Sequence, residues 1–506
     1  MSDPRPSRPS AAVVLLRGHG DALETYWVKR SDAVRYMPGL RAFPGGTANA
    51  EDADLEVEGI APGPERVARA CAIREVFEET GVLLAERVED FAGLDTARTR
   101  LLDGVARFPE LAREHGWRFR ADVVNPAGRW ISPVFAATRF ETQFFVARAP
   151  TGQEPSIRVG ELAEGEWVHP IAALARWHAG HETFAAPILY SMIALGEGEE
   201  GVAERMALGP EASGKPVRRI ELKWGIVLHP MKTRPLPPAT HTNAYLVGDR
   251  EMALIDPGSG DVDELRALFE LIEMLGSNER AVKVVLLTHH HPDHIAGLDA
   301  VRERLRVPVG AHPETAKRVR VDFAIDDGQW ITLVPQDNAA DWSLRAIHTP
   351  GHARGHLCFY HPRTQSLFSG DHVVGGAGTV IVDPPEGDMS DYLASLERLS
   401  GLGAETLFPG HGAPQGAVAR RLAELIAHRR GREGKVLAAL EPEPRSLTEL
   451  VERAYADTPR ELWPYAERSL LAHLLKLERE GRAASDGERW RVVVAPAAPP
   501  RSSPGA

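Results

Sequence analysis

The stretch VVLLTHHHPDHIAG, residues 284–297, begins as an apolar strand and ends in a cluster of polar side chains. Five of its residues offer imidazole nitrogens or a carboxylate: His289, His290, His291, Asp293 and His294. Such groups are the ligands that zinc prefers where cysteine is absent. His290 lies between two of them and is expected to point to the opposite side of the backbone. The stretch therefore predicts a metal site at the end of a strand.

Three further segments carry the same residue types, each in a Gly- or Pro-marked loop after a predicted strand. They are HTPGHARGH at 348–356, FSGDHV at 368–373 and FPGHG at 408–412. A single histidine is most often structural, but these frames together resemble the metallo-β-lactamase fold over most of residues 222–425. The resemblance implies an αββα sandwich with a metal-dependent hydrolytic site.

The same resemblance implies a ligand set for two metal ions, expected to be Zn²⁺. One ion would be bound by His289, His291 and His352, the other by Asp293, His294 and His411, with Asp371 bridging the two. The metal ions would lower the pKa of a bridging water towards neutrality, and Asp293 would also orient that water. Asp256 would fix a histidine by a hydrogen bond. The expected reaction is hydrolysis of a thioester or another ester.

A second motif, REVFEETGV at 74–82, predicts a helix with Glu75, Glu78 and Glu79 on one face. Like charges repel at this spacing, so the motif is either a solvated acidic face or a site for a hard cation such as Mg²⁺. FPGG at 43–46 lies upstream. It is interpreted as a turn whose glycines permit positive φ and let the backbone approach a ligand closely.

FPGG followed by RExxEExG resembles the Nudix hydrolases, which cleave nucleoside diphosphates linked to another group. The resemblance implies an α/β/α sandwich and Mg²⁺ or Mn²⁺ bound by Glu75, Glu78 and Glu79. It also implies that Arg74 orients one of these glutamates. The bound cation would neutralise the pyrophosphate and position the attacking water.

A long insertion separates Gly46 from Arg74 and departs from the usual spacing of this family. The earlier metal-binding glutamate of the family therefore has two candidates, Glu51 and Glu65. Glu161 is a candidate for a later one. Because of the altered spacing, a Nudix portion that acts as a non-catalytic ligand sensor remains an alternative to an active one.

The residues before FPGG point to a substrate. Arg30, Arg35 and a following glycine precede FPGG at regular spacing, which is similar to the Nudix coenzyme A diphosphatases. The resemblance implies that Arg30 and Arg35 bind the 3′-phosphate of coenzyme A, because guanidinium groups suit phosphate geometry. The backbone of Gly45 and Gly46 would lie close to the same ligand. Coenzyme A or an acyl-coenzyme A is the favoured substrate.

The chain of 506 residues is expected to be a multidomain protein of the α/β and α+β classes. Its patterns predict a Nudix domain at 8–200, a linker at 201–221, a metallo-β-lactamase domain at 222–425, a winged-helix module at 426–495 and a disordered tail at 496–506. The last module resembles the C-terminal winged helix of the β-lactamase-like protein 2 family.

The net charge and the composition of the chain indicate which kinds of binding partner to expect. A formal net charge of -12 argues against a chain-wide nucleic-acid or membrane-binding field. The resemblance of the last module implies an alternative function, RNA processing with endoribonuclease activity at the zinc site. Four basic residues there form a candidate phosphate-contacting patch, Arg429, Arg430, Arg432 and Lys435. Acidic residues are interspersed through the rest of the module, so a lid or dimerisation role is an equal alternative to RNA contact. Two cysteines and no apolar stretch of signal or spanning length predict a cytoplasmic protein. A small, coenzyme A-like molecule is the expected partner, and no membrane is expected.

Overall fold

The computed structural model describes residues 6–34, 37–86, 91–132, 136, 138–209, 220–237, 239–335, 342–376 and 378–493. Arg35 and the predicted tail lie outside these described residues. Within the described part of the chain, no helix combines the length and the apolar character needed to cross a membrane.

The N-terminal region is built on one seven-stranded sheet. Its strands are β1 (Arg8–Arg17), β2 (Glu24–Arg30), β3 (Arg41–Ala42), β4 (Gly45–Thr47), β5 (Asn125–Ile131), β6 (Phe140–Arg148) and β7 (Leu162–Val168). Its helices are α1 (Pro64–Thr80), α2 (Phe91–Leu102), α3 (Phe108–His115), α4 (Pro170–His178), α5 (Ala186–Gly196) and α6 (Val202–Ala207). The strand order is β3-β2-β1-β6-β5, with β4 on β1 and β7 on β2.

Alternation along β1 explains why helices cover both faces of this sheet. Val13 and Leu15 are buried in a core that includes α1, whereas Val14 and Leu16 are buried in a core that includes α5. The α/β/α sandwich predicted for this region is confirmed.

Two facing sheets form the next region. Its strands are β8 (Ile220–Lys223), β9 (Ile226–Lys232), β10 (His241–Gly248), β11 (Glu251–Ile255), β12 (Ala281–Leu286), β13 (Val309–Ala311), β14 (Phe323–Ala324), β15 (Trp330–Leu333), β16 (Trp342–His348), β17 (Leu357–His361), β18 (Ser366–Gly370) and β19 (Thr406–Pro409). Its helices are α7 (Val262–Gly276), α8 (Pro292–Ile295), α9 (Leu298–Leu305), α10 (Pro313–Ala316), α11 (Met389–Ser400) and α12 (Val418–Ala439).

The two sheets run β14-β13-β12-β11-β10-β9-β8 and β15-β16-β17-β18-β19. Leu228 and Val247 of the first sheet share one core with Phe359 and Phe408 of the second. Side chains of α7 and α9 are buried on the outer side of the first sheet, and those of α11 and α12 on the outer side of the second. The predicted αββα sandwich is confirmed.

The chain ends in a small helical module. It contains α13 (Leu447–Ala454), α14 (Trp463–Arg479) and the strands β20 (Arg445–Ser446), β21 (Ala483–Ser485) and β22 (Arg489–Val492). The strands pair in the order β20-β22-β21. Leu450, Leu470 and Trp490 lie in its core. This arrangement agrees with the predicted winged helix.

The stretch predicted as a linker, 201–221, is partly structured. Its first part forms α6, in which Val202 and Met206 are buried against the core of the N-terminal sheet. Their spacing of four residues places both on one helix face, an apolar face that the polar, Gly-rich composition obscured. Residues 210–219 lie outside the described part of the chain.

The N-terminal region inserts a short segment into the two-sheet region. Leu40 is 2% exposed and belongs to the core between the facing sheets, where Met37 packs against it. The Pro38 carbonyl accepts a hydrogen bond of 2.8 Å from the Gly416 backbone N–H. Gly416 follows FPGHG in the chain, so the segment between Arg30 and FPGG touches the loop that continues from His411.

Lys223 is a buried cation in β8 that should make stability depend on pH. Its Nζ donates to the Thr364 carbonyl at 2.6 Å, and burial lowers its pKa from 10.5 to about 8. Between these values the unfolded chain binds a proton that the folded chain lacks. The stability of the wild type relative to Lys223→Met should therefore rise with pH across this window, by about 1.4 kcal/mol per unit. Thermal unfolding of both proteins from pH 7 to 10.5 measures this difference in stability. A difference that does not change with pH would contradict the prediction.

Candidate functional site

The candidate metal centre lies where strands of both facing sheets end. All seven predicted ligands follow the carboxyl ends of β12, β16, β18 and β19: His289, His291, Asp293, His294, His352, Asp371 and His411. Because β18 and β19 are parallel neighbours, Asp371 and His411 emerge side by side. His291 is the N-cap of α8, a short helix that carries Asp293 and His294. The fold therefore brings four separate loops to one place.

Three imidazoles form the first group in this centre. His291 Nδ1 lies 2.9 Å from His289 Nε2 and 3.0 Å from His352 Nε2. The three nitrogens lie within 4.8 Å of one another, so a single ion can contact all of them. The structure thus brings together the three residues that the sequence assigns to one metal ion.

The second group contains the other predicted ligands. Asp293 Oδ2 lies 3.3 Å from His411 Nε2, and His294 completes the group within 4.8 Å. Asp371 Oδ1 lies 3.2 Å from both His294 Nε2 and His411 Nε2. Its other oxygen, Oδ2, lies 3.8 Å from His352 Nε2. The Asp371 carboxylate therefore faces both groups, as a bridging ligand must.

Two buried atoms of the centre test whether a metal ion fits. His294 Nε2 and Asp371 Oδ1 are inaccessible to solvent, and among the described residues neither atom has a hydrogen-bond partner in good geometry, although the two lie 3.2 Å apart. Burying polar atoms without partners is costly, and a cation between them would satisfy both. A donor set of imidazole nitrogens and carboxylate oxygens suits zinc and similar ions. The residues present therefore fit the group that the fold implies.

Asp256 holds one ligand from behind. It is 1% exposed, and its carboxylate accepts hydrogen bonds from the Thr288 N–H at 2.8 Å and the Thr288 hydroxyl at 2.6 Å. The other neighbour of this carboxylate is His294 Nδ1, at 2.8 Å. A proton held on Nδ1 leaves Nε2 free to bind a metal. The expected contact of Asp256 is present, whereas the part played by Thr288 was not predicted.

Backbone carbonyls orient two other imidazoles. His352 Nδ1 lies 3.0 Å from the Ile381 carbonyl oxygen, and His411 Nδ1 lies 2.8 Å from that of His241. Each contact places the proton on Nδ1 and directs Nε2 into the centre. Neither carbonyl could be found from the sequence, because any residue type supplies one.

Electrostatics divide the site into two kinds of imidazole. Burial lowers the pKa of His291 to about 3, so this ring is neutral at neutral pH. Burial also opposes a charge on His411, but Asp371 and Asp293 raise its pKa to about 10. The pKa of Asp371 is held well below its ordinary value by His411 and His294, despite burial. The carboxylates are therefore ionised and available to a cation.

Two sequence expectations about neighbouring residues have different outcomes. His290 is half-buried, makes an edge contact with His291 and belongs to neither of the two groups of candidate ligands. The second expectation concerns the candidate basic patch, whose four residues do not form an exposed, unpaired surface. Arg429 and Arg432 are 3% and 9% exposed. Arg430 and Lys435 are exposed, but each pairs with a carboxylate at 2.7 Å or less.

Arg74 lies at the centre of the N-terminal carboxylate cluster. It is 1% exposed and donates to Asp52 through Nε at 2.7 Å. Its Nη1 donates to Glu75 at 2.9 Å and to Glu78 at 3.0 Å, which agrees with the expected orienting role. Asp52 was not predicted, because it lies in the insertion and belongs to no motif.

The three glutamates of α1 do not converge as the histidines do. Glu79 Oε2 accepts a hydrogen bond of 2.9 Å from the Gly45 N–H. Burial raises the pKa of Glu75 to about 7 and that of Glu79 well above its ordinary value. In the part of the chain that the structure describes, however, only the downstream centre gathers three ligand atoms within 4.8 Å. Glu75 and Glu78 instead share a hydrogen-bond donor, Arg74 Nη1.

FPGG does not form the expected positive-φ turn. Gly45 and Gly46 instead lie in β4, paired with Ala12 and Ala11 of β1. Glycine is required there for close packing. A Cβ on Gly45 would lie 2.2 Å from the Ala11 carbonyl oxygen, and one on Gly46 would lie 2.5 Å from the Glu75 carboxylate.

The remaining candidate residues differ in whether they affect the carboxylates of this cluster. Burial and the Glu75 carboxylate are the main causes of the raised pKa of Glu79. The Glu161 carboxylate raises this pKa further, and the Arg30 guanidinium lowers it. Glu51 raises the pKa of the Glu78 carboxylate in the same way as Glu161 raises that of Glu79. Glu65 is 68% exposed and pairs with Arg69 at the start of α1. Glu51 rather than Glu65 therefore faces the cluster.

The fold and the downstream centre define a metal-dependent hydrolase with an αββα core. Residues 237–411 match the Metallo-beta-lactamase superfamily, and residues 446–490 match the Beta-lactamase associated winged helix domain. The lactamase-like protein adaB of Aspergillus niger is 31% identical over 282 residues, which cover 51% of this chain and 82% of that protein. The chain belongs to the metallo-β-lactamase superfamily and is a hydrolase.

Two other relatives are similar over the same part of the chain. The Beta-lactamase-like protein 2 homolog of Caenorhabditis elegans is 29% identical over 247 residues, covering 47% of this chain and 79% of that protein. The Atrochrysone carboxyl ACP thioesterase of Aspergillus fumigatus is 32% identical over 209 residues, covering 40% of this chain and 60% of that protein.

Two solved structures are similar to parts of the chain. A metallo-beta-lactamase family protein from Thermus thermophilus has 29% identity and a TM-score of 0.44, covering 54% of this chain and 100% of its own. A NUDIX hydrolase from Alicyclobacillus acidocaldarius has 25% identity and a TM-score of 0.33, covering 39% of this chain and 96% of its own.

Proposed function

We propose that this chain is a hydrolase with two sites that act on one class of substrate, coenzyme A and its acyl thioesters. The downstream centre would bind two Zn²⁺ ions and hydrolyse the thioester. The N-terminal cluster would bind Mg²⁺ or Mn²⁺ and cleave the pyrophosphate linkage. The observation that carries the proposal is the Asp371 carboxylate, which lies between two groups of imidazoles with an oxygen facing each.

The residues of the downstream centre would have different roles in hydrolysis. Metal ions bound there would polarise the substrate carbonyl and lower the pKa of a water. His289, His291 and His352 are held neutral or directed by hydrogen bonds, so they offer lone pairs without competing protons. Asp293 is half-buried beside His411, whose hydrogen bond lowers the pKa of Asp293 and keeps it ionised, so it can orient the attacking water.

A thioester suits this arrangement on chemical grounds. A thiol has a pKa near 8.5, so it leaves as a thiolate close to neutral pH and needs no dedicated acid. All seven candidate side chains can then serve the metal ions and the water. The relative named as an acyl carrier protein thioesterase, from Aspergillus fumigatus, supports a thioester as the substrate class.

The N-terminal cluster supports pyrophosphate chemistry by a different route. Glu75, Glu78 and Glu79 lie near the end of α1, where burial raises the pKa of all three. A divalent cation would offset that effect by stabilising the charged forms. Arg30 lies on the side of Glu79, where it can meet a phosphate of the substrate.

RNA processing is the weaker alternative. Nucleic-acid binding depends on exposed cations that neutralise phosphates. Of the four basic residues proposed for that role, two are buried and the other two already pair with carboxylates. A ligand-sensing N-terminal region is the other alternative, and the hydrogen bonds of Arg74 to Glu75 and Glu78 are compatible with it.

The test uses the purified full chain with three substrates: an acyl-coenzyme A, free coenzyme A and single-stranded RNA. We expect thiol release from the first and Mg²⁺-dependent formation of 3′,5′-adenosine bisphosphate from the second. His291→Ala should remove only thiol release, and Glu78→Gln only pyrophosphate cleavage. RNA cleavage that disappears in His291→Ala, without turnover of either coenzyme A substrate, would overturn the proposal. Nucleotide binding without turnover would indicate a sensor.

A further inference from the structure

Helix α12 carries two buried arginines that reach the metal-binding loops. Arg421 and Arg429 are 6% and 3% exposed, and in the described part of the chain neither pairs with a carboxylate. Burying a charge without an ionised partner is costly, so the hydrogen bonds that these two guanidinium groups donate must offset part of that cost. Here the donors go to backbone carbonyls of the segment that follows Asp371.

Arg429 contacts that segment next to a ligand support. Its Nη2 donates to the Val380 carbonyl at 2.5 Å. The next residue, Ile381, offers its carbonyl to His352 Nδ1 at 3.0 Å. The position of Val380 therefore sets the direction in which His352 presents Nε2.

A second route from Arg429 leads to the bridging carboxylate. Its guanidinium lies over the Tyr392 ring, 5.2 Å from the centroid. The Tyr392 hydroxyl donates to the carbonyl of His372 at 2.9 Å. His372 directly follows Asp371, so a single side chain touches the supports of two candidate ligands.

Two arginines of the winged-helix module form ion pairs with later residues of the same loop. Arg468 of α14 pairs with Asp383, and Arg479 of α14 pairs with Asp388 at 2.7 Å. Residues 380–388 are therefore contacted by arginines of both α12 and α14. A guanidinium is rigid and planar, so it fixes a loop more tightly than a flexible ammonium does.

We propose that Arg429 is a positioning residue of the metal centre, which fixes the Val380–Ile381 segment behind His352 and, through Tyr392, the backbone beside Asp371. The winged-helix end of the chain then braces the hydrolytic site. This inference rests on the proposed two-metal centre.

The experiment measures metal binding to the full chain, by chelator competition with Zn²⁺ and by the absorption spectrum of the Co²⁺ form. Arg429→Met should weaken binding of one ion by about 10- to 100-fold, the range for residues that orient metal ligands, and should change the Co²⁺ spectrum. Arg429→Lys should be intermediate, because an ammonium can reach Val380 but lacks the planar fork. If Arg429→Met does not fold, wild-type affinity in Arg429→Lys overturns the proposal.

Arg432→Met is the matched control. Arg432 lies one turn further along α12, is 9% exposed and donates only within the winged-helix module in the described chain, to the Ala454 carbonyl at 2.5 Å and to Asp457 at 2.7 Å. We expect it to lose thermal stability but to keep the affinity and spectrum of the wild type. Equal weakening in both variants would overturn the positioning role. A wild type that binds no metal would overturn the proposed centre and this role together.

Discussion

Replacing Asp371 with asparagine is expected to reduce thioester hydrolysis by at least about 100-fold, because even residues that only orient metal ligands cost 10- to 100-fold. The substitution keeps the size of the side chain and removes its charge. That charge faces His294 and His411 through one oxygen and His352 through the other. Initial rates of thiol release, with metal content measured on the same samples, determine the effect.

His290→Ala is the control for this prediction. His290 lies in the same loop and is half-buried, but it belongs to neither group of candidate ligands. We expect unchanged rates and metal content in this variant. An Asp371→Asn protein with full activity, or a His290→Ala protein with the same loss, would contradict the assignment of ligands.

Glu78→Gln is expected to reduce pyrophosphate cleavage by at least about 100-fold, since metal-assisted charge stabilisation supplies several kcal/mol to such reactions. Glutamine keeps the hydrogen bond that Glu78 accepts from Arg74 at 3.0 Å. The fold of α1 should therefore survive while one anionic ligand is lost. Formation of 3′,5′-adenosine bisphosphate at several Mg²⁺ concentrations measures the loss and shows whether added metal restores it.

Glu65→Gln tests whether replacing any glutamate of α1 would reduce pyrophosphate cleavage. Glu65 lies in the first turn of α1, is 68% exposed and pairs with Arg69. Cleavage should be unaffected in this variant, and thiol release should be normal in both. Equal losses in Glu65→Gln and Glu78→Gln would indicate a general effect on α1, and no loss in Glu78→Gln would favour the sensor.

The sequence predicts the downstream centre well because its information is local. His289, His291 and His294 fall within six residues of one motif, and Asp371 follows a strand directly. Each such loop is recognisable alone, and the αββα fold brings the loops together. The roles assigned to these residues remain predictions, but their positions are what those roles require.

Contacts between distant segments were beyond prediction. Asp52 pairs with Arg74 across 22 positions, within an insertion that carries no motif. Arg429 looks like a surface cation in the sequence, and only the packing of α12 against Tyr392 and Val380 buries it. Gly45 was expected in a turn, although the proximity of β1 places it in a strand. In each case tertiary packing decides the outcome.

Metal analysis of the purified full chain tests the central claim most directly. We expect two equivalents of zinc per wild-type chain, a loss of at least one in both His291→Ala and Asp371→Asn, and no loss in His290→Ala. Thiol release from an acyl-coenzyme A should fall in parallel with the metal content. A wild-type chain without bound zinc, or an unchanged zinc content in His291→Ala and Asp371→Asn, would contradict the central claim.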